Sequence, residues 1–179
     1  MNKTKIRQQL RLHRANINNN NRHQFNQNII QHIYDSTIWQ QAKSVAIYLP
    51  FGGEADISIL SKADKMIYLP AIKGENMQFQ IWNNQITFET LNYGLKQPTF
   101  VDGLNQDPID LYLMPLVGFD SKGNRLGMGG GFYDRYFAES HKGVKAGVAY
   151  QCQQVEQLPS DPWDVKIQHI FTEQGHHEF

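Results

Sequence analysis

Apolar residues recur at two periods along this chain, and the switch between them maps its elements. The N-terminal part is helical in spacing. Ile6, Leu10 and Ile17 share one face of a helix predicted over residues 3–17, because positions three or four apart lie on one side at 3.6 residues per turn. Lys3, Arg7, Arg11 and Arg14 form an adjacent basic stripe. Phe25, Ile29, Ile30 and Ile33 mark a second helix over about residues 22–34. β-Branched and aromatic runs then take over. Ser44 to Leu49 reads as a buried strand ending at Pro50, and Met66 to Leu69 as another ending at Pro70, with a helix predicted from Asp56 to Lys65 between them. Met77 to Trp82 and Ile86 to Glu89 are expected to pair as a hairpin through Asn83-Asn84. Residues 90–109, rich in Gly, Pro and Asn, read as a long surface loop, and long loops in compact domains are often functional.

Leu111 to Phe119 is predicted to be a central strand, Phe132 to Glu139 a helix, and Val144 to Tyr150 and Ile167 to Thr172 the remaining strands. Strands alternating with helices indicate an α/β domain with a mostly parallel sheet. Ligands of such sheets bind beyond the carboxyl ends of the strands. That places Leu49–Glu54, Pro70–Lys73, the segment around residues 125–135 and Tyr150–Asp164 at one rim.

The 179 residues suit one domain. Lys plus Arg equals Asp plus Glu, at 17 each, a balance that disfavours a dedicated nucleic-acid or membrane-surface protein. Cys152 is the one cysteine and has no internal disulfide partner. No histidine has metal spacing, and His176-His177 reads as a frayed tail. Met1 is followed by Asn2-Lys3-Thr4-Lys5 rather than an apolar signal core, and no run reaches the length of a membrane span. These features predict a soluble cytoplasmic protein; a monomer is the expected state, although the features do not fix it.

Most chemical information lies in Arg125-Leu-Gly-Met-Gly-Gly-Gly-Phe-Tyr-Asp-Arg135. Glycines permit positive φ and close approach of a ligand to the backbone. A glycine-rich turn opening a helix directs free N–H groups at an anion. Arg125 adds a forked cationic donor, and Asp134 a carboxylate suited to a divalent cation. The segment predicts a nucleotide phosphate site with magnesium. It lacks the Gly-Lys-Ser/Thr ending of a Walker A loop, and its glycines do not give Gly-x-Gly-x-x-Gly.

Segments along the chain agree in order with one family. Pro115-Leu-Val-Gly-Phe119, Gly123-Asn-Arg125 and Leu126-Gly-Met-Gly-Gly-Gly-Phe-Tyr-Asp-Arg135 carry the match. Lys3-x-x-x-Arg7, Tyr48-Leu49 with Glu54, Tyr93-Gly94-Leu95 with Pro98, and Leu158-Pro159 with Trp163-Asp164 support it. The chain resembles the 5-formyltetrahydrofolate cyclo-ligases, also called 5,10-methenyltetrahydrofolate synthetases. The resemblance implies a three-layer α/β sandwich like those of ribose-phosphate isomerases and coenzyme A transferases. It implies conversion of 5-formyltetrahydrofolate and MgATP to 5,10-methenyltetrahydrofolate, ADP and phosphate.

By the same resemblance, Lys3, Thr4, Lys5, Ile6 and Arg7, with Arg125, Leu126, Gly127, Met128, Gly129, Gly130, Gly131, Phe132 and Tyr133, would bind ATP. Leu49, Glu54 and Met128 to Phe132 would contact the folate, Asp134 and Asp164 would hold Mg2+, and Arg125 and Tyr133 would serve catalysis. The chain departs from the family's common Tyr-Tyr at Phe132-Tyr133 and from its common Glu-Pro at Gln97-Pro98. Several of these residues also have plainer readings. The basic stripe suits a solvated helix face, Glu54 and Asp134 suit helix starts, and Asp164 suits a turn cap. Tyr48, Tyr68, Trp82 and Tyr93 suit core or rim packing better than a pterin stack, and Arg135 suits a helix-surface ion pair. A non-catalytic folate- or nucleotide-binding paralogue and an RNA-associated protein are the competing classes.

Overall fold

The computed structural model describes residues 2–139 and 141–179; Met1, Ser140 and the side chain of Tyr93 lie outside the described residues. Two helices open the chain, α1 (Lys3–Ala15) and α2 (Asn19–Asp35), followed by a short α3 (Thr37–Gln41). Asn2 and Asn18 cap the first two, accepting from the N–H groups of Lys5 and Asn21, as short polar side chains do at a helix start. The strands are β1 (Ser44–Ala46), β2 (Met66–Lys73), β3 (Asn76–Ile81), β4 (Phe88–Thr90), β5 (Lys96–Pro98), β6 (Leu111–Pro115), β7 (Gly118–Phe119), β8 (Arg125–Leu126), β9 (Val144–Val148), β10 (His169–Thr172) and β11 (Gly175–Glu178). Helix α4 (Phe132–Ala138) lies between β8 and β9.

The main sheet has the order β11-β10-β9-β6-β1-β2-β3. Its five inner strands run parallel, and both edge strands are antiparallel to their neighbours. Alternation along the strands divides the core into two layers. Val45, Ile67, Leu69, Leu111 and Leu113 face a cluster with Ile29 and Ile33 of α2. Ala46, Tyr68, Tyr112 and Met114 face the other side, with Tyr136 of α4. Helices thus cover both faces of a mostly parallel sheet, as the sequence predicts. A third cluster joins Ile6 and Leu10 of α1 to Val117, Leu126 and Leu158, so α1 packs over the β7–β8 hairpin rather than on the sheet.

Several elements differ from the sequence expectation. The predicted helix over 56–65 is only a 3-10 turn at Ser58–Lys62. Met77–Trp82 does not pair with Ile86–Glu89; it turns back through Gly74, at φ +61°, and pairs with β2. Pro70 does not end β2, because β1 no longer runs beside it. The β1–β2 register stops at Ala46↔Tyr68, followed by one Ile47 N–H to Tyr68 carbonyl bond at 2.9 Å. A missing N–H there leaves no neighbour unpaired. The 90–109 loop contains β5, which pairs with β4. Leu111–Phe119 is two strands, broken at Leu116-Val117. His176 and His177 are no frayed tail but lie in β11, where His176 stacks on Phe171 with ring centroids 4.4 Å apart.

Sheet order reverses between β1 and β6. From β1 the chain adds β2 and β3 on one side, then β6, β9 and β10 on the other. Such a switch point leaves a crevice beyond the carboxyl ends of the strands.

Candidate active site

One cavity of about 510 Å³ opens at this switch point. Tyr48 and Leu49 after β1, Pro70 in β2 and Pro115 at the end of β6 line it, and so does the whole segment Arg125–Arg135. Of the residues singled out in the sequence, Lys3, Arg7, Leu49, Glu54, Arg125, Leu126, Gly127, Met128, Gly129, Gly130, Gly131, Phe132, Tyr133, Asp134 and Asp164 all line this cavity. Thr4, Lys5 and Ile6 do not. Thr4 and Lys5 are exposed, and Ile6 is buried under the helix in the third core cluster.

The glycine segment is held open by contacts from outside. Gly129 and Gly131 have φ of +109° and +66°, a region other residues enter at a cost. Arg7 Nε donates to the Gly127 carbonyl at 2.8 Å. Among the described residues no backbone or side-chain acceptor takes the N–H groups of Met128, Gly129, Gly130 and Gly131. Helix α4 has only seven residues, so its dipole adds little. The loop amides and the neighbouring cations therefore supply the attraction for an anion.

Arg125 is a buried cation, its side chain 4% exposed. Nη2 donates to Asp134 Oδ1 at 2.5 Å, while Nε is buried without a partner. Its guanidinium lies 5.6 Å from the Tyr133 ring centre, close enough for cation–π attraction. Burial lowers its pKa from the ordinary 12.5, and Asp134 counters part of that shift; the group stays charged at neutral pH. Burial also pushes the Tyr133 phenol up, reinforced by the Glu54 charge. Tyr133 is therefore a neutral hydroxyl, a donor rather than a base.

Asp134 Oδ1 also accepts the Val165 N–H at 2.9 Å. Asp164 Oδ2 accepts from Lys3 Nζ at 2.5 Å and from the Asp161 N–H at 2.8 Å, and Lys3 bonds Asp161 as well at 2.7 Å. Burial alone would raise the Asp164 carboxyl, but Lys3 and the Asp161 N–H hold it below its usual range. Each aspartate keeps a second oxygen that no bond among the described residues engages. Among the described residues no three His, Cys, Asp or Glu side chains gather as metal ligands. Two carboxylates with free oxygens beside a loop of unpaired N–H groups fit magnesium, which takes one or two protein carboxylates and completes its shell with phosphate and water.

Glu54 is buried and begins no helix. It accepts the Phe51 N–H at 3.0 Å in a tight turn. Burial raises its pKa above the ordinary 4.5, opposed by the Phe51 N–H and by Arg14 and Arg11. The basic stripe of α1 is solvated only in part: Arg11 is exposed, Lys3 and Arg7 are half-buried, and Arg14 is buried. Arg14 is 2% exposed and donates to the Gly52 carbonyl at 2.7 Å. Arg22 donates to the Gly53 carbonyl at 2.6 Å and to the Arg14 carbonyl at 2.8 Å. These two arginines fix the turn that carries Glu54.

The sequence also missed Asp120 as more than a turn residue. Its buried carboxylate accepts from the N–H groups of Lys122, Asn124 and Leu158 and from the Asn124 amide, which anchors the approach to Arg125. The signal was the Asp-x-x-x-Asn pair before the motif; the Leu158 partner carries no local signal. Arg135 forms no ion pair among the described residues. It donates to the Glu75 carbonyl at 3.0 Å and lies 5.1 Å from the Phe132 ring centre. Phe132, lacking a hydroxyl, serves there as a packing surface. Gln97 bridges the Ile72 backbone and the Glu89 carboxylate and lines the cavity as a structural amide.

Known proteins resemble this chain in sequence and fold. The sequence model of the 5-formyltetrahydrofolate cyclo-ligase family matches residues 1–173. The chain is 35% identical over 173 residues to the 5-formyltetrahydrofolate cyclo-ligase of Haemophilus influenzae, covering 90% of this chain and 92% of that one. It is 36% identical over 142 residues to the Escherichia coli K12 enzyme of the same name, covering 73% and 78%. Its fold is similar to that of the Aquifex aeolicus 5,10-methenyltetrahydrofolate synthetase, with a TM-score of 0.84, 30% identity and coverage of 99% and 93%. The Mycoplasma pneumoniae 5,10-methenyltetrahydrofolate synthetase gives 0.75 at 26% identity, with coverage of 97% and 99%. From its first helix to its last parallel strand, the chain belongs to the 5-formyltetrahydrofolate cyclo-ligase family.

Proposed function

We propose that this protein cyclises 5-formyltetrahydrofolate to 5,10-methenyltetrahydrofolate, using ATP and magnesium and releasing ADP and phosphate. The observation that carries the proposal is a single cavity holding a glycine loop with free amides, a buried arginine, two aspartates and a buried glutamate. We place the nucleotide phosphates on the Gly127–Gly131 loop, with Arg125, Lys3 and Arg7 around them. Thr4, Lys5 and Ile6 contribute by starting and seating the helix. Asp134 and Asp164 are the proposed magnesium ligands. Magnesium, when bound, would neutralise phosphate charge and fix the phosphate oxygens. A cytoplasmic monomer is part of the same proposal.

A formamide oxygen is a poor leaving group. Transfer of the γ-phosphoryl to that oxygen turns it into a phosphate ester of an iminium ion. N10 then attacks the formyl carbon and loses its proton, and the C–O bond breaks as phosphate leaves. Phosphoryl transfer asks the protein for position and charge neutralisation. Arg125 supplies a fixed positive charge without solvent reorganisation. Tyr133 keeps its proton and shapes the approach of N10, where orientation alone supplies a large rate factor. Glu54 and Leu49 are placed to take the pterin. An ionised Glu54 would accept its ring N–H groups.

Purified protein should form the near-ultraviolet chromophore of the methenyl product from 5-formyltetrahydrofolate, and only with ATP and a divalent cation present. Absence of the chromophore at saturating substrates would overturn the proposal.

A further inference from the structure

Trp163 is the most exposed large apolar side chain among the described residues, at 70%, yet it lines the cavity. An isolated surface aromatic is ordinary by itself. The turn that carries this one is pinned by hydrogen bonds and ion pairs. It closes through the Asp164 N–H to Asp161 carbonyl bond at 3.0 Å and the Asp161 N–H to Asp164 Oδ2 bond at 2.8 Å. Lys3 clamps both aspartates, and the Val165 N–H is tied to Asp134. An indole held in water beside a cavity keeps a wide π-face free for an aromatic ligand.

Two aromatic groups enter this site under the proposal above, a purine and a pterin. The bonds fixing residues 161–165 run to Lys3 and Asp134, which belong to the phosphate and metal set. Among the described residues none runs to the Leu49–Glu54 segment. We propose that Trp163 is the platform on which the purine base of the nucleotide stacks, an assignment that rests on the ATP-dependent reading of the site. Lys3 then has two tasks, holding the platform and facing the phosphates.

The test is equilibrium binding of ADP, ATP and inorganic tripolyphosphate, each with magnesium, to the parent, Trp163→Ala and Trp163→Phe. Base–aromatic stacks typically change affinity by about tenfold on truncation to alanine. Trp163→Ala should therefore weaken ADP and ATP by about tenfold, with tripolyphosphate unaffected and Trp163→Phe close to the parent. Nucleotide should quench indole emission in the parent, and Trp163→Phe should abolish that quench. Equal ADP affinity in parent and Trp163→Ala would overturn the assignment. So would a variant whose KM rises for 5-formyltetrahydrofolate instead of ATP. A parent that binds no nucleotide at all would remove the ATP-dependent reading itself, a result distinct from either.

Discussion

Glu54 and Asp164 share a cavity, yet their carboxyl pKa values shift in opposite directions. Glu54 is raised by desolvation, whereas Asp164 is lowered because Lys3 and a backbone N–H outweigh its burial. Glu54 thus takes up a proton at a pH where an ordinary glutamate remains ionised. If the ionised form receives the pterin, KM for 5-formyltetrahydrofolate should climb as pH falls, with a midpoint above 4.5. Glu54→Gln should lose that dependence, and an identical profile in the variant would refute the role. The stability effect has the opposite sense to that of a salt-bridged acid. The folded chain holds this proton more tightly than the unfolded one, so the stabilisation is full below 4.5 and disappears as pH rises through the folded value. Arg125→Ala should weaken nucleotide use by about 1.5–3 kcal/mol, the worth of a charge-assisted contact. It should also lower stability, because Asp134 loses its closest cation. Unchanged ATP kinetics would remove Arg125 from the phosphate site. Arg125, Asp134 and the glycines were legible because they form one continuous stretch. Arg14 and Arg22 were not, since their partners lie 38 and 31 residues away and a carbonyl acceptor leaves no trace in side-chain sequence.

Inner strands announced themselves through unbroken apolar runs, but pairing did not. Pro70 looked like a terminus because proline lacks a ladder donor. Its tolerance depends on β1 having already ended, which is a property of another segment. Gln97 then takes the place of a strand neighbour, bonding both the N–H and the carbonyl of Ile72 at 2.9 Å. Asp56–Lys65 looked helical, yet its polar start is spent on a local turn where Asp56 accepts the Ser58 N–H at 2.9 Å. The entry to β9 gives a sharp test. Gly143 has φ +124°, and a Cβ there would lie 2.2 Å from the Ile109 carbonyl oxygen. Gly143→Ala should destabilise by about 2–4 kcal/mol through strain and overlap, measurable by urea denaturation. A change within about 0.5 kcal/mol, typical of neutral surface sites, would show that the backbone there relaxes freely. For α1, Lys3→Ala should loosen the helix from the 161–164 turn. Faster amide exchange confined to α1 and that turn is the expected result.

At the scale of the molecule, ligands should act as staples because the cavity draws its wall from distant parts of the fold. Binding at a hundredfold excess over Kd adds about 2.7 kcal/mol of stability, or about 5–10 °C in Tm for a protein of this size. ATP with magnesium should give such a shift. Chelation by EDTA should remove most of it while leaving the shift produced by 5-formyltetrahydrofolate. An ATP shift indifferent to EDTA would argue against Asp134 and Asp164 as metal ligands. The α/β class, the mostly parallel sheet and the rim were readable from the alternation of periods, whereas the strand order that makes the switch point was not. The seating of α1 over β7–β8 was not, because Ile6 and Leu10 would suit any apolar surface. That seating bears on how the protein is made. Lys3 meets Asp164 across 161 residues of chain, so a ribosome delivers one jaw of the clamp long before the other. Until nearly the whole polypeptide has emerged, the nascent molecule can build part of its sheet but cannot complete the proposed nucleotide site.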